Sequence, residues 1–184
     1  MRLILASASP RRRELLAAAG VVFDVDSVDV DESRRKGEAP AVYVERVARL
    51  KAEAGSDRHP DAVVVGADTA VVLDEEVFGK PADEADATDM LRRLSGRAHD
   101  VLTGVAMVGA GARRSFVERT TVLMRALSDE EIEQYVASGE PLDKAGAYAI
   151  QGGAAAFIVD VRGSYSNVVG LPMERLLREI PAIL

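Results

Sequence analysis

The sequence contains no cysteine and only two histidines, His59 and His99. A disulfide framework, a thiol nucleophile and a cysteine-ligated metal are therefore excluded, and two imidazoles are too few for the usual zinc sites. Any catalytic metal is expected to be a hard cation held by carboxylates, magnesium or manganese. Long apolar runs are missing too, since none approaches the roughly 20 residues of a membrane helix. The first residues lack the charged and apolar regions of a signal peptide, which predicts a cytoplasmic protein with no membrane partner. Positive charge is not in excess: 23 Lys and Arg against 30 Asp and Glu give a formal net charge of -7. That balance argues against non-specific nucleic-acid binding, so a phosphate ligand would have to be held by a local cluster of cations. There is no Walker A loop, no G-x-G-x-x-G and no serine-hydrolase elbow. Internal repeats, low-complexity segments and long linkers are also missing. The 184 residues fit one domain or two closely joined lobes with a substantial core.

What is present begins with Ala6-Ser7-Ala8-Ser9-Pro10-Arg11-Arg12-Arg13, directly after the apolar run Leu3-Ile4-Leu5. Ser9 is a good N-cap and Pro10 is well placed at the first helical position, so a helix is predicted over residues 10–19 with Gly20 as its C-cap. Helix N-termini disfavour cations by ~0.3 to 1 kcal/mol each. Three consecutive arginines at such a point break a local rule. Together with a serine hydroxyl and free backbone N–H groups they suggest an anion cradle, with phosphate the foremost candidate.

Strands at residues 3–6 and 22–25 around this helix begin an α/β pattern. Residues 26–39 are polar, and either form a solvated loop or bring Asp31 or Glu32 to the cradle as a metal ligand. A helix is predicted over residues 41–54, with Tyr43, Val44, Val47, Leu50 and Ala54 on one apolar arc. Lys51 falls within that arc, either as a snorkelling stem near the helix end or as a buried functional cation. Two buried apolar runs, 62–67 and 70–73, read as strand and are interrupted by Asp68 and Thr69. An isolated carboxylate there costs several kcal/mol unless it is paired, bound to metal or at a wet cleft, and no Gly, Pro or Asn cluster marks a simple turn. The reading places Asp68 at the carboxyl end of a strand, where open α/β sheets put their chemistry.

Lys80 stands in Gly79-Lys80-Pro81, before a helix at 83–95. Residues 101–108 and 116–125 read as a hairpin around Gly109-Ala110-Gly111, and Ser128 opens a capping-box helix that ends at Gly139. A strand is expected at 154–161 and a terminal helix at 173–180. Gln151 and Asn167 each offer an amide able to read a base edge, although capping and turn roles are favoured for both on physical grounds.

The ordered set Ala6-Ser7-Ala8-Ser9-Pro10-Arg11-Arg12, Gly66-Ala67-Asp68-Thr69, Gly79-Lys80-Pro81, Asp143-Lys144-Ala145-Gly146-Ala147-Tyr148 with Ile150-Gln151-Gly152, and Asn167-Val168-Val169-Gly170-Leu171-Pro172 resembles the Maf family over nearly the whole chain. The resemblance implies a single Maf-like domain, an elongated mixed sheet flanked by helices with two lobes around a cleft, related to the inosine triphosphatase fold. It implies a nucleoside triphosphate pyrophosphatase that uses a divalent metal, Mg2+ or Mn2+, and it suggests a homodimer. By the same resemblance Ser9, Arg11, Arg12, Lys51 and Lys80 bind phosphate, Asp68 is catalytic, and Glu32 and Asp68 are metal ligands. Arg11, Thr69 and Gln151 match the branch acting on dTTP and UTP. The branch acting on 7-methyl-GTP carries an aromatic residue, a glutamine and a glutamate there. The family's association with inhibition of cell division raises a rival, a nucleotide-binding regulatory protein that acts through a protein partner.

Overall fold

The twelve residues of the strand Ala62–Leu73 (β3) carry the sheet, and eleven of them are buried, as a strand covered on both faces requires. The computed structural model describes residues 2–109 and 111–182. Ala110, in the expected hairpin turn, lies outside them. The other strands are β1 (Arg2–Leu5), β2 (Asp24–Val25), β4 (Glu76–Phe78), β5 (Ala98–Gly109), β6 (Ala112–Met124) and β7 (Ile158–Arg162). Their order is β2-β1-β3-β5-β6-β7, with β4 also paired to β3. β1 runs parallel to β2 and β3, while every other pairing is antiparallel. The helices are α1 (Pro10–Ala18), α2 (Pro40–Arg58), α3 (Glu84–Leu94), α4 (Asp129–Ala137), α5 (Tyr165–Val169) and α6 (Met173–Glu179). This mixed α/β sheet flanked by helices is the expected fold class, and no helix among the described residues is long and apolar enough to cross a membrane.

The two faces of the sheet are covered differently. On one face α2 lies directly on β3 and β5, with Val44 against Ala70 and Leu102, and Ala48 and Ala52 against Ala106. Its backbone comes so near that a Cβ on Gly66 would stand 2.3 Å from the Ala48 carbonyl oxygen, and one on Gly104 2.3 Å from that of Val44. The opposite face holds two apolar clusters. Val63, Val65, Ala67, Val105 and Met107 pack with Leu16 of α1 and Leu176 of α6. Val71, Leu73 and Val101 pack with Leu91 of α3, Ile132 of α4 and Tyr148. Thr69 and Thr103, a directly opposed pair, lie on the sheet between the two clusters.

Several expectations need correction. β3 is one continuous strand, because β5 pairs with it without a break from Val64↔Val108 to Val72↔Asp100, so Asp68 is in mid-strand and not at a strand's carboxyl end. It does lie past the carboxyl end of β1, whose pairing with β3 stops at Leu5↔Val65. α2 is longer than predicted, beginning at Pro40 and continuing through Gly55 to Arg58. Gly55 is tolerated inside it because a Cβ there would meet Val64 Cγ1 at 2.7 Å. The expected strand at 154–161 is present only from Ile158 onward, as β7, and its first four residues belong instead to a 3-10 turn, Gly153–Phe157. α5 was not anticipated: capped by Ser164 and five residues long, it is too short to show periodicity.

His99 of β5 is buried in the core, with its Nε2 2.7 Å from the Tyr148 hydroxyl and the two rings edge to face. Burial pushes its pKa down to about 4 from the ordinary 6.5, only partly opposed by Asp100 and the Arg97 backbone. The folded state therefore favours the neutral ring.

Gly104→Ala is expected to cost about 3 kcal/mol, because the new methyl meets helix backbone that cannot swing aside. That loss corresponds to a Tm lower by roughly 6 to 12 °C. Gly79→Ala, where a Cβ meets nothing within 4 Å, should leave Tm unchanged. The stabilisation linked to neutral His99 is fully present above pH 6.5 and is lost as pH falls towards its folded value of about 4. The loss is about 3 kcal/mol. Urea unfolding of His99→Gln across this window should show a correspondingly flatter pH dependence than the parent protein.

Candidate active site

A sheet edge left without a strand opens the site. On one side of β3, β1 occupies residues 62–65 and β4 occupies residues 71–73. Between them, residues 66–70 face no strand on that side among the described residues. Backbone groups on such an edge must find other partners. Arg12 supplies one. Its Nη1 donates to the Ala67 carbonyl at 2.9 Å and to Ser7 Oγ at 3.2 Å, its Nε to the Gly170 carbonyl at 2.8 Å, and its Nη2 to Thr69 Oγ1 at 3.0 Å. The guanidinium thus takes the place of a missing strand. Burial works against its charge, and the nearby Asp68 carboxylate supports it.

Arg12 is aimed there by the start of α1. Ser9 caps the helix as expected, its hydroxyl accepting from the Arg12 N–H at 3.4 Å, with Pro10 at the first helical position. The Ser9 N–H in turn donates to Ser7 Oγ at 3.2 Å. A tight entrance of this kind points consecutive side chains in different directions. Arg12 goes into the protein and is 8% exposed, while Arg11 is half-buried and lines the cleft.

On the α2 side, Lys51 Nζ lies 3.0 Å from Asp68 Oδ1 and 3.0 Å from Glu32 Oε2. Lys51 and Asp68 are 8% and 7% exposed, and the Glu32 side chain is half-exposed at the rim. Lys51 is therefore a buried, paired cation and not a snorkelling stem. Burial raises the Asp68 pKa, with Lys51 and then Arg12 pulling it back.

These groups line one cleft of about 420 Å³, together with Ser9, Thr69, Lys80 and Gln151. Every residue that the family resemblance assigns to the site lines it, whereas Asp31, the other acidic candidate of the polar loop, does not and accepts the Ser33 N–H at 2.9 Å. Lys80 and Gln151 are exposed on its walls. The Lys80 loop is fixed by a 3.0 Å bond from the Gly146 N–H to the Gly79 carbonyl. Asn167 does not offer its amide to the cleft. It is fully buried, and its Nδ2 donates to the Val101 carbonyl at 3.0 Å, to Thr120 Oγ1 at 3.0 Å and to the Glu118 carbonyl at 3.4 Å, pinning α5 to β5 and β6. Ser7 and Thr103 were not anticipated as parts of the site. The only sequence signal for Thr103 is a hydroxyl in the otherwise apolar run 101–108.

Glu32 and Asp68 are the carboxylates that flank the cleft's buried cation, and among the described residues no three His, Cys, Asp or Glu side chains converge as a self-sufficient metal cage. A cation binding here would need oxygen from a ligand as well. Arg11 and Lys80 add positive charge to the lining, to which Asp143 also contributes a carboxylate. A polyanion in the cleft would meet these cations and the two carboxylates beside Lys51.

Comparison with known proteins shows what the chain is related to. The sequence profile described as Maf-like protein matches residues 2–183. A relative from Symbiobacterium thermophilum named dTTP/UTP pyrophosphatase is 55% identical over 177 residues, covering 96% of this chain and 91% of its own. A relative of the same name from Myxococcus xanthus is 56% identical, covering 93% and 87%. Another from Geobacter sulfurreducens is 52% identical, covering 99% and 96%. The solved structure of the Staphylococcus aureus Ham1 protein covers 67% of this chain and 72% of its own with a TM-score of 0.49 at 16% identity, too loose a likeness to bear on fold or function. With the profile spanning the described chain and relatives half identical along almost all of it, the resemblance carried by the helix entrance and the Asp68 strand is one of descent, and the chain belongs to the Maf family.

Proposed function

We infer that this chain is a nucleoside triphosphate pyrophosphatase that hydrolyses dTTP and UTP to the nucleoside monophosphate and pyrophosphate. The observation that carries the reading is the buried Asp68, held against Lys51 at the unpaired edge of β3 within a cation-lined cleft. The names of relatives identical at half of all positions give the same reaction and the same two substrates.

Water attacks the α-phosphorus in line, and the bond from that phosphorus to the oxygen bridging the α- and β-phosphates breaks. Pyrophosphate leaves with the bond's electron pair. Asp68 accepts the proton of the attacking water, a role that suits a carboxyl whose burial raises its pKa. Arg11, Lys80 and the helix entrance at Ser9 hold the phosphates, and Lys51 stabilises charge on the transferring group. Arg12 has four of its N–H donors committed inside the protein. A guanidinium carries five, so it adds one donor to the phosphates while it shapes the site.

A divalent cation fits Glu32 and Asp68. Both are oxygen donors, and magnesium commonly takes one or two carboxylates and completes its shell with phosphate oxygens and water. When bound, it supplies positive charge that neutralises the phosphates. The same pair of carboxylates argues against a pure nucleotide sensor, which gains nothing from negative charge beside a triphosphate. Arg11, Thr69 and Gln151 all line the cleft and carry the residue types of the dTTP and UTP branch.

Pyrophosphate release from a nucleotide panel with magnesium or manganese tests the reaction, and the protein should turn over dTTP and UTP in preference to 7-methyl-GTP. Asp68→Asn should lower kcat by roughly 100-fold or more, as loss of a general base does. Near-parental turnover would remove Asp68 from the mechanism. Lys80→Ala should cost about 10- to 100-fold in kcat/KM, the range for a hydrogen bond to a charged group, with Tm unchanged because Lys80 is exposed.

A further inference from the structure

Glu140 stands just beyond the carboxyl end of α4, where the helix dipole disfavours negative charge, and opens a 3-10 turn, Glu140–Asp143. Lys144 does not pair with its carboxylate: that ammonium bonds Asp143 and the Glu140 backbone carbonyl. The donors that the carboxylate does have are neutral. Oε1 accepts the Tyr135 hydroxyl at 2.9 Å, and the Gly153 N–H lies 3.1 Å from Oε1 and 3.0 Å from Oε2. A charge set against a local preference and committed to neutral groups needs a reason.

Its partners lead to the cleft. The Ala149 N–H donates to the Tyr135 hydroxyl oxygen at 3.4 Å, and the hydroxyl's single hydrogen goes to Glu140. The direction of every bond in this chain is set, because a backbone N–H can only donate and a carboxylate only accept. Residues 149–153 are therefore gripped at both ends by one carboxylate, directly at Gly153 and through Tyr135 at Ala149. Between the two grips the Gly152 N–H donates to the Ala149 carbonyl at 3.1 Å and closes a β-turn. Gln151 is a corner residue of that turn, exposed and lining the cleft. The fit behind it is close, since a Cβ on Gly152 would stand 1.9 Å from Glu140 Oε1.

We propose that Glu140, linked through Tyr135, is a positioning residue that fixes the turn at 149–152 and so holds Gln151 in place for the nucleotide. The inference rests on the dTTP and UTP reading of this cleft. A glutamine on a free loop loses backbone and side-chain freedom when it binds, and a turn already held in place removes part of that cost beforehand. A carboxylate suits the task because its hydrogen bonds are stronger than those of a neutral acceptor. Preorganisation of this kind serves bound substrate and transition state alike, so it is felt in KM and leaves kcat alone.

The test measures kcat and KM for dTTP, together with Tm, in the parent, Glu140→Ala, Glu140→Gln, Tyr135→Phe, Gln151→Ala and the double variant of Glu140→Ala with Gln151→Ala. Glu140→Ala should raise KM about 10-fold while kcat stays within about 3-fold of the parent. Glu140→Gln keeps an accepting oxygen and should bring KM back to within about 3-fold of the parent. Gln151→Ala should itself raise KM, and adding Glu140→Ala to it should raise KM by no more than about a further 2-fold, because the two act through one contact. Tyr135→Phe keeps its ring edge to face with Phe157 and should raise KM about 3-fold or more, which keeps the idea testable if Glu140→Ala does not fold. An unchanged KM in Gln151→Ala or in a folded Glu140→Ala overturns the proposal, as does an unchanged KM in Tyr135→Phe where Glu140→Ala does not fold. Independent penalties that multiply in the double variant, or a loss confined to kcat or Tm, mark a merely structural role and overturn it too. If the parent releases no pyrophosphate from dTTP or UTP, the functional reading itself fails. A parent that turns over dTTP with a KM indifferent to Glu140 defeats the positioning and leaves the reaction standing.

Discussion

The contact of the α2 backbone with the sheet at Gly66 and Gly104 is the constraint from which the site follows. Side chains on a helix and on the sheet beneath it normally keep the two about 10 Å apart. Here the missing Cβ atoms let the Val44 and Ala48 carbonyl oxygens descend almost to the strands. Lys51 follows Ala48 by one turn of the helix, so the same descent puts its stem beside Gly66 and its ammonium against Asp68 two residues along the strand. Alanine at either glycine would lift the helix and separate the charges. The buried ion pair is thus a consequence of backbone packing. Removing one partner of such a pair leaves an uncompensated charge, so the pair is costly to break even though its formation adds little net stability.

The second requirement is the gap between β1 and β4. A strand filling that gap would satisfy the carbonyls of β3 and would bury Asp68 and Thr69 beyond the reach of any ligand. Arg12 satisfies the Ala67 carbonyl with a side chain instead, and ties it to Gly170 and Thr69 at the same time. A guanidinium suits this because it presents several donors in one fixed plane, which an ammonium cannot do. One cation therefore holds together α1, the middle of β3 and the turn after α5.

Much of this was legible in the sequence where the cause is local. Ser9 and Pro10 announce a helix start because capping involves neighbours in the chain. Lys51 and Asp68 are visible as charges on otherwise apolar surfaces, and their burial follows from that placement. The family resemblance rests on such short local motifs. What stayed hidden depends on partners far along the chain. The continuity of β3 through Asp68 is imposed by β5, and the change of 154–157 from strand to 3-10 turn depends on neighbours that pattern alone does not reveal. Arg12 reads as a free phosphate cation in the sequence because its acceptors at Ala67 and Gly170 are 55 and 158 residues away. The contacts of Thr103 with Thr69 and Asn167 were hidden for the same reason, since those partners lie far along the chain.

The charge distribution completes the argument about the substrate. A protein of net charge -7 repels a triphosphate at long range, and salt screens that repulsion beyond about 8 Å under physiological conditions. Selection of the ligand is therefore left to charges inside the cleft. Lys51 is largely neutralised by its two carboxylates, and Arg12 is committed to the fold, so Arg11 and Lys80 are the cations with capacity to spare. Two such cations do not balance a triphosphate beside a Lys51, Glu32 and Asp68 cluster that itself keeps a net negative charge. A hard divalent cation arriving with its nucleotide would cover that deficit, as the function proposed for Glu32 and Asp68 requires, and it would need ligand oxygens because no three His, Cys, Asp or Glu side chains converge among the described residues.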